Sequence, residues 1–365
     1  MQLRPFYNLP KKQSLYCGLN WFILIAQGWT AVFSQPKHNK NRKLTDKQLK
    51  NMPQINISSL LTNFSLRFSN AKVDSPRLCA ELILSEILGL NRAQLIAFPE
   101  RQVSEALAKQ CEALAARREQ GEPMAYILGR KEFYGIDFIV SPAVLVPRPE
   151  TELIVDLLKQ EFSRHLPSSG APNSAGPDSG GPSSGGPNSA GPSSGGLRFA
   201  DLGTGSGCLL ATILLNFPAW QGVGVDISAP ALEIAQKNIV AQKLQARCQL
   251  IQADFTNLPL RKQSLQLIVS NPPYIPTSQY NALNPEVRCF EPELALHSGF
   301  DGLAHPRKVV KAGEYCLVPG GLLLMEIGDD QAEAALALFD LKQWLKPQII
   351  NDLAGRTRIA LAYRA

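Results

Sequence analysis

From residue 197 to the C-terminus, short runs of β-branched and aliphatic residues alternate with helix-like stretches, an order best buried as a mainly parallel sheet covered on both faces. Strands read at 197–202, 222–226, 248–253, 265–270 and 321–327, helices at 302–317 and 331–341. Two paired strands near 348–353 and 358–363 predict an antiparallel end. The first strand runs into Gly203-Thr204-Gly205-Ser206-Gly207 and then the apolar run 208–215. Strand, glycine loop and helix in that order predict a Rossmann-like α/β domain whose loop N–H groups face a ligand.

A dinucleotide loop is spaced Gly-x-Gly-x-x-Gly; here it is Gly-x-Gly-x-Gly, which disfavours NAD. Asp226 ends the second strand about twenty residues further on, where a carboxylate binds ribose hydroxyls. Asp254 and Phe255 end the third, offering a carboxylate to an exocyclic amine and a ring to the apolar face of an adenine. The fourth strand ends at Asn271-Pro272-Pro273-Tyr274. Two prolines remove two donors, fix φ and bias Asn271 toward an extended conformation. A planar NH2 group then finds one acceptor in the Asn271 side-chain oxygen and another in the Pro272 carbonyl, with the Tyr274 ring against its face. Asn-Pro-Pro alone is an ordinary turn signal. The four features, in order at successive strand ends, predict methyl transfer from S-adenosylmethionine to a planar nitrogen.

At these residues the sequence resembles the HemK/PrmC family, the protein-(glutamine-N5) methyltransferases that modify the Gly-Gly-Gln glutamine of class I peptide chain release factors. The resemblance runs from roughly Val73 to the C-terminus. It includes Pro123-Met124-Ala125-Tyr126-Ile127-Leu128-Gly129, Phe133-Tyr134-Gly135 and Val146-Pro147-Arg148-Pro149-Glu150-Thr151-Glu152. Downstream lie Val287-Arg288-Cys289-Phe290-Glu291-Pro292 and Gly355-Arg356-Thr357-Arg358. It implies a class I S-adenosylmethionine-dependent methyltransferase sheet with a small N-terminal helical domain that helps to grip a release factor. Cofactor contacts are expected at Gly203, Thr204, Gly205, Ser206, Gly207, Asp226, Asp254, Phe255 and Asn271. Catalysis is expected at Asn271, Pro272 and Tyr274, and glutamine binding at Asn271, Pro272, Pro273 and Tyr274. Arg148 and Glu150 either line the pocket or form an exposed turn. Rival readings are a glutamine methyltransferase of ribosomal proteins, an amino methyltransferase of nucleic-acid bases, and a non-catalytic binding protein on the same scaffold.

Charge bears on those rivals. The net +6 is concentrated in residues 1–50, with nine Lys or Arg against Asp46; the rest carries 28 basic and 30 acidic residues. A near-neutral body argues against stable nucleic-acid binding. The seven cysteines include no Cys-x-x-Cys pair and fall mostly in apolar patterns, as expected of reduced thiols in a cytoplasmic protein. His38, His165, His297 and His305 show no ligand spacing, so no metal is expected.

Four regions are expected. Residues 1–58 form an extension outside the resemblance, with an apolar stretch at 15–34 broken by Gly18, Asn20, Gln27 and Gly28. It reads as a peripheral anchor or, preferentially, as sequence upstream of the true start at Met52. Residues 59–121 form the helical domain, with Asp74-Ser75-Pro76 as a cap and Leu78, Leu82, Leu84, Ile87 and Leu88 as an apolar face. A further helix begins near Ser104 and carries Leu107, Cys111 and Leu114. Residues 122–150 form a hairpin linker and 151–365 the methyltransferase domain. Within the latter, 167–196 is a Pro/Ser/Gly insert with Pro172, Pro177, Pro182, Pro187 and Pro192 in register, expected to be disordered and to serve only as tolerated length.

Overall fold

The structure, a computed structural model, describes residues 55–163 and 196–365. The expectations for the apolar N-terminal stretch, Met52 and nearly all of the Pro/Ser/Gly insert lie outside those residues.

The helical region comprises α1 (Ile57–Asn70), α2 (Pro76–Leu88), α3 (Arg92–Ala97) and α4 (Glu105–Glu119). It begins before residue 59, because the Asn56 side chain accepts from Ser59 N at 2.8 Å and caps α1. Ser104 caps α4 in the same way, accepting from Leu107 N at 3.3 Å. Pro76 opens α2, but Ser75 is left-handed and makes no side-chain cap. The buried face of α2 keeps Leu84, Ile87 and Leu88 of the expected set and differs in its first turns. Cys79, Ala80, Ile83 and Leu84 enter the core with Phe64 and Phe68 of α1, while Leu78 is exposed. The stretch 78–88 is apolar nearly all round, so periodicity alone does not choose a face.

After α5 (Met124–Leu128), β1 (Arg130–Phe133) and β2 (Ile136–Ile139) form an antiparallel hairpin. Its two turn residues, Tyr134 and Gly135, both have positive φ, the backbone that a two-residue hairpin turn requires. A 3-10 turn at Pro149–Thr151 leads into α6 (Glu152–Ser163).

The remaining elements are β3 (Arg198–Leu202), α7 (Cys208–Asn216), β4 (Gln221–Asp226), α8 (Ala229–Ala241), β5 (Cys248–Gln252), β6 (Leu265–Ser270), α9 (Thr277–Tyr280), α10 (Pro285–Phe290), α11 (Ala304–Cys316), β7 (Leu317–Glu326), α12 (Ala332–Leu336), β8 (Trp344–Asn351) and β9 (Thr357–Arg364). The seven strands form one sheet in the order β5-β4-β3-β6-β7-β9-β8. The first five are parallel; β9 runs antiparallel to β7 and β8. Alternate residues of a strand face opposite sides. Phe199, Leu267 and Val269 accordingly pack with α6 and α7, and Ala200 and Ile268 with α11. The expected helix at 331–341 shrinks to α12.

Strand order reverses at β3, whose neighbours are β4 and β6, and a crevice forms outside the carboxyl ends of strands at such a point. Register brings the strand ends level: Leu202 pairs with both Val225 and Ser270. A hydrogen bond of 2.6 Å from Ser270 Oγ to Leu202 O ties the two central ends together.

An ion pair with a buried cation joins the helical region to the segment after the Asn-Pro-Pro-Tyr loop. Arg118 of α4, 3 % exposed, pairs with Glu286 of α10 at 2.9 Å and donates to Glu122 O at 2.8 Å. Arg118→Ala is expected to cost about 2–3 kcal/mol, less than a fully buried pair because the half-buried Glu286 regains water. Urea unfolding checks this, and an unchanged midpoint would contradict it.

Candidate active site

The crevice is a cavity of about 130 Å3 that opens to solvent beyond the carboxyl ends of the central strands. Its floor is the glycine loop. Gly203, Gly205 and Gly207 all have positive φ, and a Cβ on Gly203 would lie 3.4 Å from the Phe255 ring and 3.7 Å from Asn271 O. The loop is pinned to β4 by Gly203 N and Thr204 N, both donating to Val225 O.

Two carboxylates stand beside the loop. Asp226 Oδ2 accepts from Gly205 N and Oδ1 from Ser228 N, each at 2.9 Å, so the loop and the start of α8 hang on one side chain. Burial raises its pKa against those two bonds. Asp201 accepts from Thr204 Oγ1 at 2.8 Å, and burial pushes its carboxyl up to about 7, with Asp226 adding to the rise. The other full charge lining the crevice, Arg148, is held by Glu291 at 2.6 Å. Glu291 also accepts from Val146 N at 3.1 Å, which fastens the segment after α10 to the linker.

Of the expected site residues, Gly203, Thr204, Gly205, Ser206, Asp226, Phe255, Asn271 and Pro273 line the crevice together, as does Arg148. Gly207, Pro272, Tyr274, Asp254 and Glu150 are not among its lining. Gly207 instead packs under α8, where its Cβ would meet Ala235 at 3.2 Å. Pro272 is buried, and Glu150 is exposed, as a surface turn would have it. The Tyr274 hydroxyl donates to Glu326 at 3.2 Å. Asp254 is engaged by Thr256 N at 2.8 Å, Thr256 Oγ1 at 2.6 Å and Lys308 Nζ at 3.1 Å, and the Thr256 hydroxyl above all holds its carboxyl down at about 2. Asn271 Nδ2 donates to Thr151 Oγ1 at 2.9 Å.

Sequence reasoning passed over Thr151, Glu326 and His305. His305 lines the crevice, edge-on to Phe255 with ring centroids 6.4 Å apart, and burial lowers its pKa. Glu326 carried a signal: an acid ending the apolar run Leu322-Leu323-Leu324-Met325, beside the strand that delivers Asn271. Among the described residues no cluster of His, Cys, Asp or Glu is arranged to hold a metal, and no helix is long and apolar enough to cross a membrane. Cys79, Cys111 and Cys316 are buried thiols, whereas Cys289 is exposed.

The charges of the crevice define its ligand. A pyrophosphate would face Asp201 and Asp226 with a single cation, already paired, and no lysine. A cofactor with ribose hydroxyls, an adenine and positive rather than negative charge is compatible with this lining of acidic, aromatic and aliphatic side chains. That cofactor is S-adenosylmethionine, and fold and crevice together define an S-adenosylmethionine-dependent methyltransferase.

Residues 59–129 match the PrmC N-terminal domain and residues 199–290 a methyltransferase domain. A release factor glutamine methyltransferase of Nitratidesulfovibrio vulgaris is 37 % identical over 84 % of this chain and 95 % of its own length. Those of Caulobacter vibrioides and Geobacter sulfurreducens are 36 % and 39 % identical, over 82 % and 73 % of this chain and 93 % and 82 % of theirs. The chain belongs to the release factor glutamine methyltransferase family.

Proposed function

We propose that the enzyme methylates the side-chain amide nitrogen of the glutamine in the Gly-Gly-Gln motif of class I peptide chain release factors. The observation that carries this reading is the amide of Asn271, half-buried at the end of β6 on the wall of the crevice, with its NH2 group already committed to Thr151. That leaves Oδ1 as an acceptor for the NH2 group of another planar amide. The relatives' name supplies the acceptor class.

Bound S-adenosylmethionine supplies an activated methyl group on a sulfonium. The chain's own task is the nitrogen, whose lone pair is delocalised into its carbonyl. Asn271 Oδ1 and the Pro272 carbonyl each take one N–H, which fixes the plane of the acceptor amide and aims its nitrogen. The contribution is positioning and preorganised electrostatics.

The test offers labelled S-adenosylmethionine with separate acceptors: an intact release factor, a Gly-Gly-Gln peptide, a release factor with asparagine for that glutamine, ribosomal proteins, and rRNA or DNA. The intact factor is expected to be labelled and the peptide poorly, since binding energy from remote surface is missing. The asparagine form is expected to lose at least about 100-fold in rate, because one methylene fewer retracts the amide by roughly 1 Å or more. Labelling of ribosomal protein or nucleic acid in preference to the factor would overturn the assignment.

A further inference from the structure

One hydrogen-bonded chain runs from the crevice wall into the interior through residues far apart in sequence. Asn271 Nδ2 donates to Thr151 Oγ1 at 2.9 Å, Thr151 Oγ1 donates to Glu326 Oε2 at 2.6 Å, and the Tyr274 hydroxyl donates to Glu326 Oε1 at 3.2 Å. Thr151 is 4 % exposed and Glu326 1 %. A carboxylate at that depth is costly, and an apolar residue of similar size would pack there without the penalty.

The direction of the chain follows from counting hydrogens. An ionised carboxylate only accepts, so the single hydroxyl hydrogen of Thr151 is committed to Glu326 and Thr151 meets Asn271 with lone pairs alone. The Asn271 amide must then turn its NH2 to Thr151 and keep Oδ1 as the free acceptor. The same carboxylate takes the Tyr274 hydroxyl, so both ends of the Asn-Pro-Pro-Tyr loop are referred to one buried group.

We propose that Glu326, acting through Thr151, is a positioning residue for methyl transfer: it sets the Asn271 amide so that Oδ1 is presented to the acceptor nitrogen. This rests on the amide-site reading above. Burial raises the Glu326 carboxyl to about 7; Glu150 pushes the same way, while the hydrogen bonds from Thr151 and Tyr274 and the charge of Arg358 oppose it. Once protonated, Glu326 can donate to Thr151, whose hydroxyl is then free to donate to Asn271 Oδ1, and the amide loses its preferred sense. The acceptor oxygen is therefore set above pH ~7 and released as pH falls through that value.

Two readouts on the full chain test this. The first needs neither cofactor nor acceptor: the Asn271 side-chain NH2 signal in a nitrogen–proton NMR spectrum, assigned by its absence in Asn271→Ala. It is expected to shift with a midpoint near pH 7 in the wild type, to lose that midpoint in Glu326→Gln, and to move to a water-exposed position in Thr151→Val. The second is methylation of an intact release factor. Thr151→Val is expected to lower kcat about 10–100-fold with S-adenosylmethionine affinity within about 3-fold, Thr151→Ser to restore most of the rate, and Glu326→Gln to lose the acid limb of the kcat profile near pH 7. An Asn271 signal indifferent to pH and to Thr151→Val, or a pH midpoint that survives Glu326→Gln, overturns the proposal. Should Glu326→Gln fail to fold, the Thr151 pair decides. A wild type that leaves the release factor unmethylated would sink the substrate assignment, and the NMR readout would still decide the role of Glu326.

Discussion

Asn271→Ala is expected to lower kcat for release-factor methylation by about 100-fold or more, since misplacing the reacting atoms by roughly 1 Å already costs that much. On the proposed reading the substitution removes the acceptor that aims the substrate nitrogen and leaves the glycine loop, Asp226 and Phe255 in place. Binding of S-adenosylmethionine, followed by calorimetry, is therefore expected to stay within about 3-fold of the wild type. Rate and affinity falling together would mean that Asn271 serves the cofactor rather than the acceptor. Turnover close to normal would remove it from the mechanism altogether.

Asp226→Ala is expected to show the opposite split. A hydrogen bond to a charged group contributes about 1.5–3 kcal/mol, so losing the equivalent of one such bond to the ribose, as proposed, weakens cofactor binding roughly 10–100-fold. Asp226 also holds Gly205 N and Ser228 N, and without it the loop gives up part of its shape. At saturating cofactor kcat is expected to recover to within about 10-fold, because the methyl acceptor's own contacts survive. An unchanged dissociation constant would show that the ribose is held elsewhere.

The sheet was legible because its strands are short apolar runs bounded by glycine, proline or acid. The expected 265–270 is β6, bounded on one side by Asn271-Pro272-Pro273, and 197–202 differs from β3 by one residue. Where apolar residues lie nearly all round a helix, periodicity fails, as along 78–88 of α2. The candidate site divides along the same line. The glycine loop, Asp226, Phe255 and Asn271 each sit at a strand end, and strand ends converge in a parallel sheet. Asp254 sits at one too, yet its carboxylate turns to Thr256 two residues on, a local turn that the Asp-Phe-Thr order already encodes. The pairing of Thr151 with Glu326 spans 175 residues, and no local pattern announces it.

The Arg118–Glu286 pair makes the two parts of the enzyme poor cassettes. Its cation belongs to the last turn of α4 and is buried, its anion to the segment that follows the Asn-Pro-Pro-Tyr loop and is half-buried, so the guanidinium depends on that one carboxylate for its charge partner. A chimaera that replaces α1–α4 but keeps α10 sets Glu286 opposite whatever its donor carries at position 118, so the pair survives recombination only where both of its halves travel together.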